Sequence, residues 1–224
     1  MKRAKAPKAP TTDPGNTPRR FKVFLGGEGS NELGTRAQSW HRDASEHRPG
    51  ALEVLAKHKV GDCFEVVGAI QWKDIRKYKA GKHVGPEAQS VLGLALKAKE
   101  READVVLFMR DQDGSLERQK DVMAGLETAR RLFPTLADQL VGGLAIRMLE
   151  SWVLAASGVR GTEAMGKDTL EAKFRDHFGL ALKDKSTEAL VTCLERADVS
   201  NLPDDATSLR DWLEQLVRVM GPEG

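Results

Sequence analysis

The sequence has few cysteines and no long apolar run, and each shortage excludes a class of protein. Its two cysteines, Cys63 and Cys193, lie far apart, so they form neither a disulfide framework nor a zinc-ligand spacing. No stretch is apolar enough to span a bilayer, and no apolar segment of the signal-peptide kind follows the basic amino terminus. We therefore expect a cytoplasmic protein with no membrane partner.

The charge is unevenly distributed along the chain. The formal net charge of the 224 residues is +2, but residues 1–20 carry six cations against one acid. This tail contributes +5, so the rest of the chain carries −3. Because the tail is rich in Pro, Ala and Lys, we expect it to be disordered and either to attract nucleic acid without specificity or to aid solubility alone.

Apolar runs that alternate with helix-forming segments predict an α/β protein. Strands are expected at 21–25, 62–70, 105–109 and 140–145, and helices at 50–58, 87–102, 116–132 and 146–156. Three more helical segments follow, at 169–178, 187–196 and 206–220. This order indicates a parallel sheet with right-handed crossovers and helices on both faces. The expected organisation is a basic tail (1–20), a Rossmann-like core (21–157) and a helical carboxyl-terminal extension (158–224).

Residues 103–114, ADVVLFMRDQDG, read as a buried strand that ends in two acids. If the strand stays extended, Asp111 and Asp113 share a face, and their carboxylates repel unless a cation or a proton lies between them. Oxygen ligands at the carboxyl end of a parallel strand suit Mg²⁺ or Mn²⁺. The alternative is an ordinary turn, since Asp, Gln and Gly form turns and cap helices.

Further acids follow the first strand and lie near the fourth. Glu28 and Glu32 belong to the glycine-rich segment GGEGSNELG, and Glu150 lies in an apolar helical stretch. Because the carboxyl ends of parallel strands meet at one edge, these acids can join the aspartates around a metal, an arrangement suited to phosphoryl transfer. The glycine-rich segment lacks the Lys-Ser/Thr ending of a P-loop and the dinucleotide-binding spacing, so nucleotide binding there is a minor alternative.

Three motifs together resemble the Toprim-like (topoisomerase-primase domain) fold. They are Glu28-Gly29-x-x-Glu32 after strand one, Asp111-x-Asp113-Gly114 after strand three, and Glu150-Ser151-Trp152-Val153-Leu154-Ala155 near strand four. The chain is similar to small stand-alone Toprim-like proteins of bacteria, which often lie beside ABC- or OLD-like ATPases in anti-phage defence clusters. The resemblance covers about residues 21–157.

The resemblance implies a Mg²⁺-dependent nuclease, with Mn²⁺ as the other suitable ion. Glu28 matches the general acid/base of the family, Asp111 and Asp113 match its metal-binding pair, and Glu32 and Glu150 match supporting acids. The chain departs from the family at Ala156, where a further acid is common, and at Gly26-Gly27, where apolar residues are usual. The single tyrosine and the two cysteines exclude a topoisomerase and a zinc-bearing primase. A gating ATPase is an expected partner, and a homodimer is compatible with the sequence.

A basic segment, residues 71–85, follows the second strand. It holds Lys73, Arg76, Lys77, Lys79 and Lys82, with Trp72 and Tyr78 interleaved. Cations beside rings are typical of a surface that binds nucleic-acid single strands or ends, and the segment should leave the sheet at the edge that carries the acids. We therefore predict DNA or RNA as the substrate. The alternative is a solvated loop in which Trp72 is anchored in the core.

Two other functions compete with the nuclease. Asp111-x-Asp113-Gly114-Ser115-Leu116 also resembles the first motif of haloacid-dehalogenase-like phosphatases, with Asp111 as nucleophile, Asp113 as acid/base, Asp204-Asp205 as late acids and Lys167 or Lys183 as the lysine. That family opens with this motif, whereas 110 residues precede Asp111 here. The third hypothesis is a non-catalytic module that binds nucleic acid or an ATPase through the basic segment and the tail.

Overall fold

A four-stranded parallel sheet forms the centre of the molecule in the computed structural model, which describes residues 20–37, 47–80, 84–181 and 186–221. The strands are β1 (Phe21–Gly27), β2 (Phe64–Gln71), β3 (Val105–Asp111) and β4 (Leu140–Ala145). Their order across the sheet is β2-β1-β3-β4, and all three pairs are parallel. The predicted α/β fold class is confirmed, with β1 and β3 as the central strands.

Every predicted helix is present, with ends shifted by at most three residues. The helices are α1 (Ser30–Leu33), α2 (Ala51–Val60), α3 (Pro86–Glu100), α4 (Leu116–Leu132), α5 (Leu149–Ala156), α6 (Lys167–Phe178), α7 (Thr187–Glu195) and α8 (Thr207–Met220). Only α1, a single turn, was not expected. Pro86 occupies the first turn of α3, where its missing N–H costs no helical hydrogen bond.

Alternation along the central strands divides the core into two hydrophobic clusters. Val105, Leu107 and Met109 face one side of the sheet, and Val106 and Phe108 face the other. The first side is covered by α2 and by α5 to α8, and the second by α3 and α4. This burial on both faces is the reason that β3 is apolar at every position up to Met109.

The carboxyl-terminal helices complete the first of these clusters. Phe174 of α6, Leu190 of α7 and Trp212 of α8 are all fully buried in it. The indole N–H of Trp212 also donates a hydrogen bond of 3.1 Å to the carbonyl of Phe108 in β3. The helices after residue 158 therefore share their core with the sheet.

Some predictions fall on residues outside the described ranges. These include most of the basic tail (1–19), Lys82 of the basic segment and Lys183 of the phosphatase alternative. Within the described ranges, none of the helices combines the length and the apolar character that crossing a bilayer requires.

Candidate functional site

Asp111 is the last residue of β3 and lies at the carboxyl edge of the sheet. Its Oδ1 accepts a hydrogen bond of 2.9 Å from the backbone N–H of Leu149, the first residue of α5. That N–H is one of those at a helix start that have no partner within the helix. The carboxylate therefore caps α5 and connects the end of β3 to the helix that follows β4.

The carboxyl group of Asp111 has a pKa raised from 3.8 to about 7. Burial is the largest cause, and the negative charges of Glu32 and Asp113 add to it. The Leu149 N–H and the charge of Arg110 lower the pKa, but they do not offset the other effects. The structure thus brings three acids close enough to interact, and such crowding is relieved by a proton or a cation.

Glu28 and Glu32 reach this position from the segment after β1. The Oε1 atom of Glu28 accepts a hydrogen bond of 3.0 Å from the backbone N–H of Asp111. Glu32 is buried, and its Oε2 accepts a bond of 2.7 Å from the N–H of Gly29. Gly27 allows α1 to approach the strand, because a Cβ at this position would lie 2.7 Å from the Cβ of Glu32. Gly27 therefore helps to place Glu32.

Asp113 does not share the face of Asp111, so the prediction from strand alternation is wrong. The strand ends at Asp111, and the next residues form a turn in which the N–H of Ser115 donates to the carbonyl of Gln112 at 2.9 Å. Asp113 and Gly114 both have positive φ, 50° and 73°. The turn directs Asp113 toward α4, although its charge still acts on Asp111.

Two arginines bind acids of the site in an arginine–carboxylate network, defined as Glu28, Glu87, Arg110, Arg118 and Asp113. Arg110 contacts Glu28 and Glu87, the second at 3.2 Å. Arg118 contacts Glu87 at 3.4 Å and Asp113 at 2.6 Å. The side chains of Arg110 and Glu87 are only 14% and 18% exposed, so solvent screens their interaction weakly. The network neutralises Glu28 and Asp113 with cations from the chain itself.

Sequence reasoning missed Glu87, Arg110 and Arg118. Arg110 could have been found from the sequence, since it is a charged residue directly after the apolar part of β3. Strand alternation directs its side chain to the α3 side of the sheet. Glu87 lies in the first turn of α3, at the same edge as the acids, but in the sequence it is one of several helix-forming residues. Arg118 lies in the first turn of α4 and gave no comparable signal.

The acids have the ligand chemistry that Mg²⁺ and Mn²⁺ prefer. Asp111, Asp113 and Glu32 offer carboxylate oxygens, and a cation among them would relieve the repulsion that raises the pKa of Asp111. Within the described residues, no three His, Cys, Asp or Glu side chains converge closely enough to hold an ion in their present orientations. Arg110 and Arg118 contact Glu28 and Asp113, so a divalent ion would compete with these two pairs.

Glu150 lies at the same edge, on the first turn of α5. It follows Leu149, whose N–H binds Asp111, and it is only 2% exposed. An acid in the first turn is favoured by the helix dipole. The structure therefore places Glu150 next in sequence to a residue that contacts the central aspartate.

Trp72 opens the basic segment but is a core residue. It is buried, its ring lies 5.6 Å from that of Phe108, and its Nε1 donates to Glu87 at 2.6 Å. The prediction that Trp72 stacks on a nucleobase is therefore wrong, because its ring is not on the surface. Trp72 is anchored in the core, as the alternative expected, and nucleic-acid binding by the rest of the segment stays a prediction.

After Trp72 the basic segment runs along α3, and its described cations and Tyr78 are exposed. Arg76, Lys77, Tyr78 and Lys79 line a groove of about 740 Å³, whose helical wall includes Lys97. The backbone N–H of Tyr78 donates to the carbonyl of Gln89 at 3.0 Å, which holds the segment against the helix. Lys73 is also exposed, at the start of the segment. The segment leaves the sheet at the expected edge, but its cations then border α3.

Residues required by the phosphatase alternative have other contacts. Asp204 pairs with Arg210 at 3.5 Å, and Asp205 accepts a hydrogen bond of 2.7 Å from the N–H of Gly161. Lys167 is the exposed first residue of α6. None of these contacts among the described residues joins them to Asp111, so this alternative stays a prediction.

Comparisons with known proteins return no match: no family model, no curated protein and no solved structure is similar to this chain. The Toprim-like resemblance therefore rests on the three motifs.

Proposed function

We propose that this protein is a metal-dependent phosphodiesterase that hydrolyses DNA or RNA. The observation that carries the proposal is the crowding of Glu32 and Asp113 around Asp111, whose pKa is raised to about 7. A carboxyl group perturbed by burial and by neighbouring charges is typical of functional sites. Carboxylate oxygens at the carboxyl end of parallel strands are suited to a divalent ion.

The acids have two roles in this proposal. Asp111, Asp113, Glu32 and Glu150 would hold Mg²⁺ or Mn²⁺, which supplies positive charge to offset the charge that develops on the phosphate. Glu28 would accept the proton of the attacking water and return it to the leaving oxygen. Its hydrogen bond to the backbone N–H of Asp111 keeps its carboxylate beside the metal-binding acids.

The arginine–carboxylate network supports control of this activity. Arg110 and Arg118 form ion pairs with two of the acids. An ion or a substrate therefore has to displace the arginines before these two acids can act. We propose that a partner favours the displaced arrangement, and that the partner is an ABC- or OLD-like ATPase in a bacterial defence system. A cytoplasmic location and a homodimer belong to the same proposal. A nuclease that cleaves slowly without its partner would cause little damage to the host's own nucleic acid.

The test is cleavage of plasmid DNA, single-stranded DNA and total RNA in the presence of Mg²⁺, Mn²⁺ or EDTA. Wild type is compared with Glu28→Ala and Asp111→Ala, and Asp138→Ala, an exposed acid before β4, is the matched control. We expect metal-dependent cleavage by wild type and control, and a rate lower by about a hundredfold or more in both site variants. Cleavage that survives both site substitutions would contradict the assignment.

A non-catalytic nucleic-acid-binding module is the second candidate, and the ion pairs favour it. Because arginines already neutralise Glu28 and Asp113, the folded protein needs no metal ion to offset these two charges. Retained binding of oligonucleotides, with no cleavage and no response to Mg²⁺ in wild type, would identify this function.

A further inference from the structure

Arg147 follows β4 and differs from the other arginines at this edge of the sheet. Arg110 and Arg118 bind carboxylates. Arg147 forms no ion pair within the described ranges, and its buried Nε has no hydrogen-bond partner there. A guanidinium keeps its charge, and its donors are normally paired when they are removed from water. Arg147 thus has donor capacity that the described chain does not use.

The backbone of Arg147 is held in an unfavourable conformation. Its φ is 81°, a region in which residues with a side chain are strained. Its carbonyl accepts a hydrogen bond of 3.2 Å from the N–H of Asp113, which also has a positive φ. Two of the three described non-glycine residues with positive φ therefore meet at this site. Strain of this kind persists where surrounding structure enforces it, and it is frequent at binding sites.

The guanidinium of Arg147 lies against the turn that carries Asp113. A Cβ on Gly114 would lie 3.4 Å from Nη1 of Arg147, so the glycine leaves space beside the charged group. Leu149, two residues after Arg147, donates its N–H to Asp111. Arg147 is thus linked to both aspartates of the site by short stretches of backbone, and its Nη1 lies beside the turn that carries Asp113.

We propose that Arg147 binds a phosphate oxygen of the nucleic-acid substrate. The planar guanidinium matches the geometry of phosphate oxygens, and its charge offsets the repulsion between a phosphodiester and the crowded carboxylates. The proposal rests on the proposed function for the nature of the ligand. The predicted contact needs neither a metal ion nor cleavage, so it can be measured separately from activity.

The test is binding of fluorescein-labelled oligothymidylate and oligouridylate in EDTA, followed by fluorescence anisotropy. Arg147→Gln removes the charge, and Arg147→Lys keeps the charge without the planar donors. Arg131→Gln, an exposed residue at the far end of α4, is the matched control. We expect a Kd weaker by about tenfold or more for Arg147→Gln, a smaller loss for Arg147→Lys and none for the control. Equal oligonucleotide affinity of Arg147→Gln and the control Arg131→Gln would overturn the proposal.

Arg147→Gly separates binding from a structural role. Glycine adopts positive φ without strain, so we expect this variant to unfold at the same or a higher temperature than wild type and to bind as weakly as Arg147→Gln. A lower unfolding temperature with unchanged affinity would assign Arg147 to the fold alone and overturn the proposal. A lack of metal-dependent cleavage would contradict the proposed function. The binding result for Arg147 could still be interpreted, because binding is measured in EDTA.

Discussion

Replacing Asp111 by Asn should stabilise the protein at neutral and alkaline pH. The pKa of Asp111 is about 7 in the folded protein and 3.8 for an ordinary aspartate. Between these values the folded state retains a proton that the unfolded chain has lost, so the free energy of unfolding falls as the pH rises through this range. Above the folded pKa, the protein bears the full cost of an ionised, crowded carboxylate.

The magnitude follows from the difference between the two pKa values. About three pKa units at about 1.4 kcal/mol each give an upper bound of about 4 kcal/mol. Asn retains an oxygen for the Leu149 N–H and carries no charge to repel Glu32 and Asp113. We therefore expect Asp111→Asn to exceed wild type by up to about 4 kcal/mol above the folded pKa, and to match it below the unfolded pKa.

Urea denaturation from about pH 3 to about pH 9, in EDTA, measures this difference. Subtracting the two curves removes the contribution of the other titrating groups. Adding Mg²⁺ should then stabilise wild type above the folded pKa and affect the variant much less, because an ion that binds only the folded state raises its stability. Parallel curves for the two proteins across the range would refute the reasoning about Asp111.

Three further substitutions test other parts of the molecule. Glu87→Gln removes the carboxylate that both arginines of the network share, and it should cost about 1–3 kcal/mol in urea denaturation. A similar loss for the exposed Glu127→Gln would contradict this. Burial acts to raise the pKa of Glu53, but hydrogen bonds from a histidine and a lysine outweigh it and lower the pKa below 4.5. Wild type should therefore lose stability as the pH falls through the folded pKa of this group, and Glu53→Gln should lack that loss in pH-dependent thermal unfolding. Tyr78→Ala should weaken oligonucleotide binding by about 1–3 kcal/mol. An equal effect of the exposed Met123→Ala would exclude a specific contact at Tyr78.

The sequence by itself determined the strands, the helices and the edge of the sheet at which the acids lie. Each element is encoded by its own apolar period, as in Val105–Asp111, whose alternate residues enter two different clusters. The position of Glu28 and Asp111 follows from connectivity alone, because parallel strands joined by helices have their carboxyl ends at one edge. Both conclusions depend on neighbours in the chain or on the order of elements.

Only the tertiary structure decided which side chains meet at that edge. Two successive positive φ angles ended the alternation that was expected to align Asp113 with Asp111. Packing of α3 beside β3 brought Glu87 to Arg110 and buried Trp72, although no local pattern joins these residues. Side-chain direction within a strand depends on the local backbone, whereas ion pairs, burial and pKa values depend on distances between segments far apart in sequence. For this reason the acids at the strand ends were predictable, whereas Glu87 and the pairing of the arginines with the acids were not.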